Sequence, residues 1–144
     1  MSHDNLIPNY SYSVLFDGIK VGFSKVSNIS GSAEIETIVN GGRNNEPIIL
    51  RKPKRNPDML VFERGMRTSL SDTVLSFFKE GHKVDNITIN VLRNGKTVRM
   101  FFVNGGIIVR REYSPLDALG SGVFLQALQI AHNGISEVAL PFSL

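Results

Sequence analysis

Hydrophobic and polar residues alternate with period two along most of this chain, which is the signature of half-buried β-strands. Tyr10, Tyr12, Val14 and Phe16 alternate with Ser11, Ser13 and Leu15 as a first strand. Asp17-Gly18 supplies a tight turn, and residues 19–24 return as a second short strand. A third strand is predicted over Glu34–Val39, with Glu34, Glu36 and Ile38 on one face and Ile35, Thr37 and Val39 on the other. The next, Met59–Arg64, sets Met59, Val61 and Glu63 against Leu60, Phe62 and Arg64. The connection between these two, residues 40–58, is studded with Gly, Asn, Pro and basic residues and is far longer than a hairpin loop. Such a segment either wanders or is held by something outside its own domain.

The period changes once. Leu70, Val74, Phe77 and Phe78 fall on one helical stripe, Ser69 and Asp72 resemble a capping pair, and Gly81 is a natural stop. The spacing predicts one short helix over 68–81, with Phe77 and Phe78 in the core. From Asp85 the β pattern resumes: Ile87, Ile89 and Val91 share a face, and Asn94-Gly95 is a strong hairpin signal. The return strand over 97–103 is apolar on both faces at Phe101 and Phe102. Asn104-Gly105-Gly106 predicts a bulge or kink before the strand continues over 107–113, and 117–122 reads as a second flexible stretch. The last long strand, 123–132, sets Val123, Leu125, Ala127 and Gln129 against Phe124, Gln126, Leu128 and Ile130. Seven or eight strands and one helix predict a mainly β fold, two antiparallel sheets rolled into a sandwich or barrel with the helix at one side. The helix is too short to cover a sheet, so another subunit is the expected cover for the second apolar faces.

Composition narrows this picture. The 144 residues read as a single domain, 1–144, with a loose arm over 1–8 and the long connection over 40–58. An apolar fraction of 42% and a charged fraction of 20% describe a folded chain. There is no cysteine, which excludes disulfides and thiolate metal sites and fits a reducing compartment. No secretory signal and no membrane-spanning run is legible, so the sequons at Asn9, Asn28 and Asn86 read as chance matches. The net charge of +3 is concentrated: seven of the sixteen basic residues lie between Arg43 and Arg67.

Candidate chemistry is sparse. His3, His82 and His132 lack metal-ligand spacing and read as structural or surface histidines. No nucleophile elbow, phosphate loop or zinc helix is present, and neither Asn40-Gly41-Gly42 nor Gly120-Ser121-Gly122 has the strand–turn–helix setting of a phosphate cradle. Glu34 and Glu36 share a strand face and read as solvated. The chain is therefore expected to be no enzyme, with no catalytic residue, cofactor or metal. The run Arg51-Lys52-Pro53-Lys54-Arg55 could grip nucleic-acid phosphates, but no aromatics interleave to stack bases, which favours a solvated or subunit-facing loop.

Motif order then adds a resemblance. An FDGI turn (Phe16–Ile19) precedes VGFSKVSNISG (Val21–Gly31), and NGGRNN (Asn40–Asn45) opens a basic, Pro-containing connection. A strand ending in ERG (Glu63–Gly65) follows, then an ITINVL…NGK hairpin and a final FLQALQIAHNGI (Phe124–Ile135). This order, from about Tyr10 to Ile135, resembles the tail tube protein family of contractile phages and extracellular contractile injection systems. That family shows a GFSEVSGL-like stretch, a GGxN connection, an Arg-Gly after the next strand and an ExLxLAHEG-like ending. Gln126, Gln129 and Asn133 depart from it where acidic residues are common.

The resemblance implies hexameric rings stacked into a rigid hollow tube that a contracting sheath drives through a target envelope, passing DNA or a protein payload. The implied partners are further copies of the chain, a sheath protein, baseplate or tube-initiator and terminator proteins, and the payload. Assembly in the bacterial cytoplasm, into a phage tail or an extracellular tail-like particle, is implied too. The resemblance places Gly41, Gly42, Arg43, Arg51, Lys54 and Arg55 in the inter-subunit or inter-ring contact, with Asp17, Glu34 and Glu36 as acidic partners on a neighbour. Tube subunits that polymerised unprompted would be a hazard to the cell, so the 40–58 connection is expected to be disordered in the free monomer and to order on docking. Two readings stand beside it: a tube-initiator or baseplate paralogue of the same fold, and a basic β-barrel that binds nucleic acid.

Overall fold

Asp17-Gly18 and Asn94-Gly95 each place two consecutive residues at positive φ (51° and 82°, 52° and 78°) in the computed structural model of the protein. That is the backbone of a tight turn whose twist matches its flanking strands. The structure describes residues 6–39, 46–65, 78–120 and 122–140. Among them are ten strands: β1 (Ser11–Phe16), β2 (Ile19–Val21), β3 (Lys25–Ser27), β4 (Glu34–Ile38), β5 (Ile48–Lys52), β6 (Asp58–Gly65), β7 (Lys83–Arg93), β8 (Lys96–Tyr113), β9 (Leu125–His132) and β10 (Ser136–Ala139). Eight form one antiparallel sheet ordered β2-β1-β7-β8-β9-β6-β3, with β10 also on β8, and β4 and β5 pair only with each other.

The large sheet rolls over on itself. In a flat sheet β1 and β6, four strand spacings apart, would lie about 19 Å from one another. Instead the rings of Phe16 and Phe62 meet edge to face at 5.3 Å. Three residues, Gly22-Phe23-Ser24, carry the chain from β2 at one edge to β3 at the other. Phe23 seals this seam, 5.5 Å from Phe16 and 5.0 Å from Phe62. No ladder joins β2 to β3, so the roll is not a closed barrel.

β8 is the strand both layers share. It carries β7 on one edge, and β9 followed by β10 on the other. The break between β9 and β10, at residues 133–135, falls at the level of Gly105, whose φ is +88°. Val14, Phe16, Leu60, Phe62, Val84, Ile87, Ile89, Val103, Ile108, Leu128 and Ile130 fill the roll and are almost fully buried. Each such side chain contributes about 1.5–3 kcal/mol.

Several expectations need correcting. The 40–58 connection is not without structure of its own: β5 lies inside it and folds back on β4. Ile48-Ile49-Leu50 is a short apolar run without alternation, which periodicity alone does not identify as a strand. At Asn104-Gly105-Gly106 the irregularity is local: Gly105 takes a positive φ of 88° and the strand continues. β8 runs through it in register with β7, and the register shift against β9 falls at Ile108–Arg110. β3 and β10, three and four residues long, were not predicted, since so few positions show no period. The helix expected over 68–81 falls largely on 66–77, outside the described residues. Its described end, 78–81, is a turn with no helix, and no helix occurs among the described residues. Phe78 does lie in the core, 5.6 Å from Phe16.

Candidate functional site: an uncovered strand pair

β4 and β5 form an arm that makes no extensive contact with any other described strand. The register pairs Glu34 with Lys52, Glu36 with Leu50 and Ile38 with Ile48 on one face. On the other, Ile35 pairs with Arg51 and Thr37 with Ile49. All of β5 and all of β4 except Glu34 are exposed. Ile35, Ile38, Ile48, Ile49 and Leu50 keep 42–64% of their surface in solvent, and Val39 keeps 68%. An isolated two-stranded ribbon is marginal in water, and apolar residues exposed on both of its faces make it a candidate contact surface.

The root of the arm, by contrast, is tied down. Asp58, the first residue of β6, accepts hydrogen bonds from Ser32 Oγ at 2.7 Å, just before β4, and from Lys54 Nζ, just after β5. The Lys54 and Asp58 side chains are 18% and 14% exposed. The bond from Lys54 first, then that from Ser32, holds the Asp58 carboxyl below the usual carboxylate range. A second tie runs from the Arg55 backbone N–H to the Glu34 carboxylate, across the two ends of the arm. Asn28, in the left-handed region at φ 65°, donates to the Met59 carbonyl at 2.6 Å beside them.

The predicted contact residues therefore separate. Arg51 stands on one face of the arm and Arg55 is exposed at its root, whereas Lys54 turns inward to Asp58. Gly41, Gly42 and Arg43 lie outside the described residues. Arg51 and Lys52 point to opposite faces, so the basic run presents no one-sided stripe for a phosphate backbone. Among the suggested acidic partners, Asp17 accepts from the Asn86 backbone N–H at 2.8 Å and Glu34 from Arg55, both within the chain.

A second apolar surface escaped the sequence reading. Tyr113 and Phe124 stack at 5.7 Å and 9° where β8 leads to β9, and Leu116 and Leu119 in the loop between are 88% and 97% exposed. The loop shows no periodicity, so its leucines carried no signal. Beneath it Arg64, only 5% exposed, donates from Nε to Gln126 Oε1 at 2.8 Å, and Gln126 donates to the Tyr113 hydroxyl at 3.1 Å. Gln126 is one of the departures noted above. His132 is buried; its Nδ1 accepts from the Gly134 N–H at 3.1 Å while its Nε2 has no partner. Among the described residues no His, Asp and Glu converge as a metal site, and no helix is long and apolar enough to cross a membrane.

Comparison with known proteins gives the same direction. The family model described as T4-like virus tail tube protein gp19 matches residues 8–136. No curated protein matches the sequence significantly. Among solved structures, the anti-feeding prophage tube-terminating cap superposes with a TM-score of 0.77 at 14% identity, covering 94% of this chain and 92% of that one. A chain of the PVC sheath–tube complex, from an extracellular contractile injection system in its extended state, gives 0.74 at 18% identity, covering 94% and 93%. One from the anti-feeding prophage baseplate gives 0.67 at 23%, covering 90% and 92%. At these identities the likeness is one of fold.

Proposed function

The chain belongs to the T4-like virus tail tube protein family, and from that premise we propose that it is a subunit of the inner tube of a contractile tail or injection system. Its role is structural, as part of a tail-like particle. In this reading subunits form hexameric rings that stack into a rigid hollow conduit, a contracting sheath drives the conduit through a target envelope, and DNA or a protein payload passes along the bore. Sheath, baseplate or initiator, and terminator proteins are the partners, and assembly takes place in the bacterial cytoplasm before the particle is complete.

The observation that carries this reading is the β4–β5 arm, apolar on both faces and covered on neither. A contact between unlike surfaces that does not close on itself propagates as a filament. An arm that reaches a neighbouring copy is such a contact. Gly41, Gly42, Arg43, Arg51 and Arg55 belong to it, with Lys54 acting at its root. The test is negative-stain electron microscopy of the purified protein across a concentration series, beside the Ile49→Asp variant. Rings or hollow tubes of uniform width are expected from the wild type. The variant should keep the monomer's melting temperature within about 2 °C, because Ile49 is exposed, and should lose the tubes. Equal tube formation by both proteins would remove the arm from the stacking contact. A wild type that stays monomeric and instead binds single-stranded nucleic acid, weakening steeply with salt, would overturn the tube reading.

A further inference from the structure

The arm makes no extensive contact with any other described strand, yet both of its ends converge on one side chain. Ser32 precedes β4 by two residues, Lys54 follows β5 by two, and both bond Asp58. Asp58 is itself held by the body of the fold, since it opens β6 and stands opposite His132 of β9 in the ladder. One carboxylate thus connects the incoming strand, the outgoing strand and the rolled sheet. Its side chain is mostly shielded from water, so the ion pair with Lys54 is less screened than a surface pair. The Glu34–Arg55 bond joins the arm's two ends to each other but not to the sheet. Asn28 ties the chain that leads into the arm to Met59 of β6, but among these bonds those to Asp58 are the ones that hold both ends of the arm to the sheet.

We propose that Asp58 is a positioning residue, a latch that fixes the direction of the β4–β5 arm in the free subunit so that the arm is presented already aimed at its neighbour. A jointed arm would be competent for docking only in the fraction of time it pointed correctly, and apparent affinity falls by that fraction. A latched arm carries no such penalty at its root. Only Ser, Asp and Lys in this spacing are needed, and no contact with the partner is involved. The proposal rests on the arm being the stacking contact, but the latch itself is a property of the monomer and is testable there.

The chain has no cysteine, so cysteines introduced at Thr37 on the arm and Lys96 at the β7–β8 turn, both exposed, take spin labels selectively. Pulsed electron paramagnetic resonance on dilute monomer then reads the spread of the arm-to-body distance. A narrow distribution is expected for the otherwise wild-type chain, and one at least twofold broader for Asp58→Asn. The exchanged pair Lys54→Asp with Asp58→Lys should narrow it again, a rescue that a merely stabilising residue would not give. A distribution as narrow in Asp58→Asn as in the wild type, or a broad one in both, would overturn the latch. On unlabelled protein, Asp58→Asn should raise the concentration needed for tubes by about tenfold. If the arm loosens but assembly is unchanged, the latch stands and the arm is not the stacking contact. If neither protein forms tubes while the distances behave as expected, the latch stands and the tube reading fails.

Discussion

Gly106 lies in β8 directly beneath Ile130: a Cβ added there would stand 2.6 Å from Ile130 Cγ2 and 3.3 Å from Ile87 Cδ1. Those are buried side chains in a packed core, with little room to give. Gly106→Ala should therefore destabilise the monomer by about 1–3 kcal/mol, read from urea unfolding as a lowered midpoint with unchanged slope. The glycine is legible in the sequence, but as a sign of a kink; its actual reason, two isoleucines from other strands, is a fact of packing. Gln126 makes a similar point. Gln126→Leu keeps the volume but removes the bond that Gln126 accepts from the buried Arg64 Nε–H and the one it donates to the Tyr113 hydroxyl. A cost of about 1–3 kcal/mol is expected, larger than for Gln129→Leu on the outward face, by thermal melts of both variants. Its position on β9 follows from alternation, whereas its partner 62 residues away does not.

The two hairpins, β1–β2 and β7–β8, are the elements written most plainly, because Asp-Gly and Asn-Gly tolerate the positive φ that their turns demand. β4 and β6 were equally plain from alternation. β5 was not, because Ile48-Ile49-Leu50 is apolar at every position and the Arg51-Lys52 that completes the strand is basic at both, so nothing alternates. The arm's root adds a pH dependence. Asp58 faces Lys54 and Ser32 of the arm's ends and His132 of β9, with Glu34 nearby on Arg55. A carboxyl depressed in the folded state contributes stability fully above its unfolded value, about 4, and loses it as pH falls through the lower folded value. The arm should therefore keep its direction from pH 8 down to about 5 and loosen only in stronger acid, below the usual carboxylate range. The spin-label distances across that series check this; loosening already between pH 7 and 5 would contradict it.

At the scale of the molecule, one sheet encloses its own core and excludes the arm from it. The roll holds the buried core, whereas the arm carries exposed isoleucines on both faces. If the arm is the stacking contact proposed above, the two parts should respond differently to concentration. Binding that favours the native chain raises its melting temperature by mass action. The wild-type melting temperature is expected to rise with protein concentration, and that of Ile49→Asp to stay flat, in differential scanning calorimetry over a hundredfold range. A concentration-independent wild type that nonetheless forms tubes would mean that the tube contributes nothing to subunit stability.

The sequence by itself determined the β class, the tight turns, the long strands and, through the order of its motifs, the family. These are properties of neighbours along the chain: period two, a residue that accepts positive φ, a spacing of short motifs. It also marked the 40–58 connection as too long for a hairpin loop, with a contact outside its own domain as the expectation. Tertiary structure alone decided that this connection contains a strand, that Lys54 turns to Asp58 while Arg51 stays exposed, and that Phe23 seals two edges of one sheet. Phe23 meets Phe62 from a distant part of the chain, and even Lys54 and Asp58, only four residues apart, meet by the path the chain takes from β5 into β6. Periodicity carries no trace of such a meeting, because it records which way a side chain points and not what it meets.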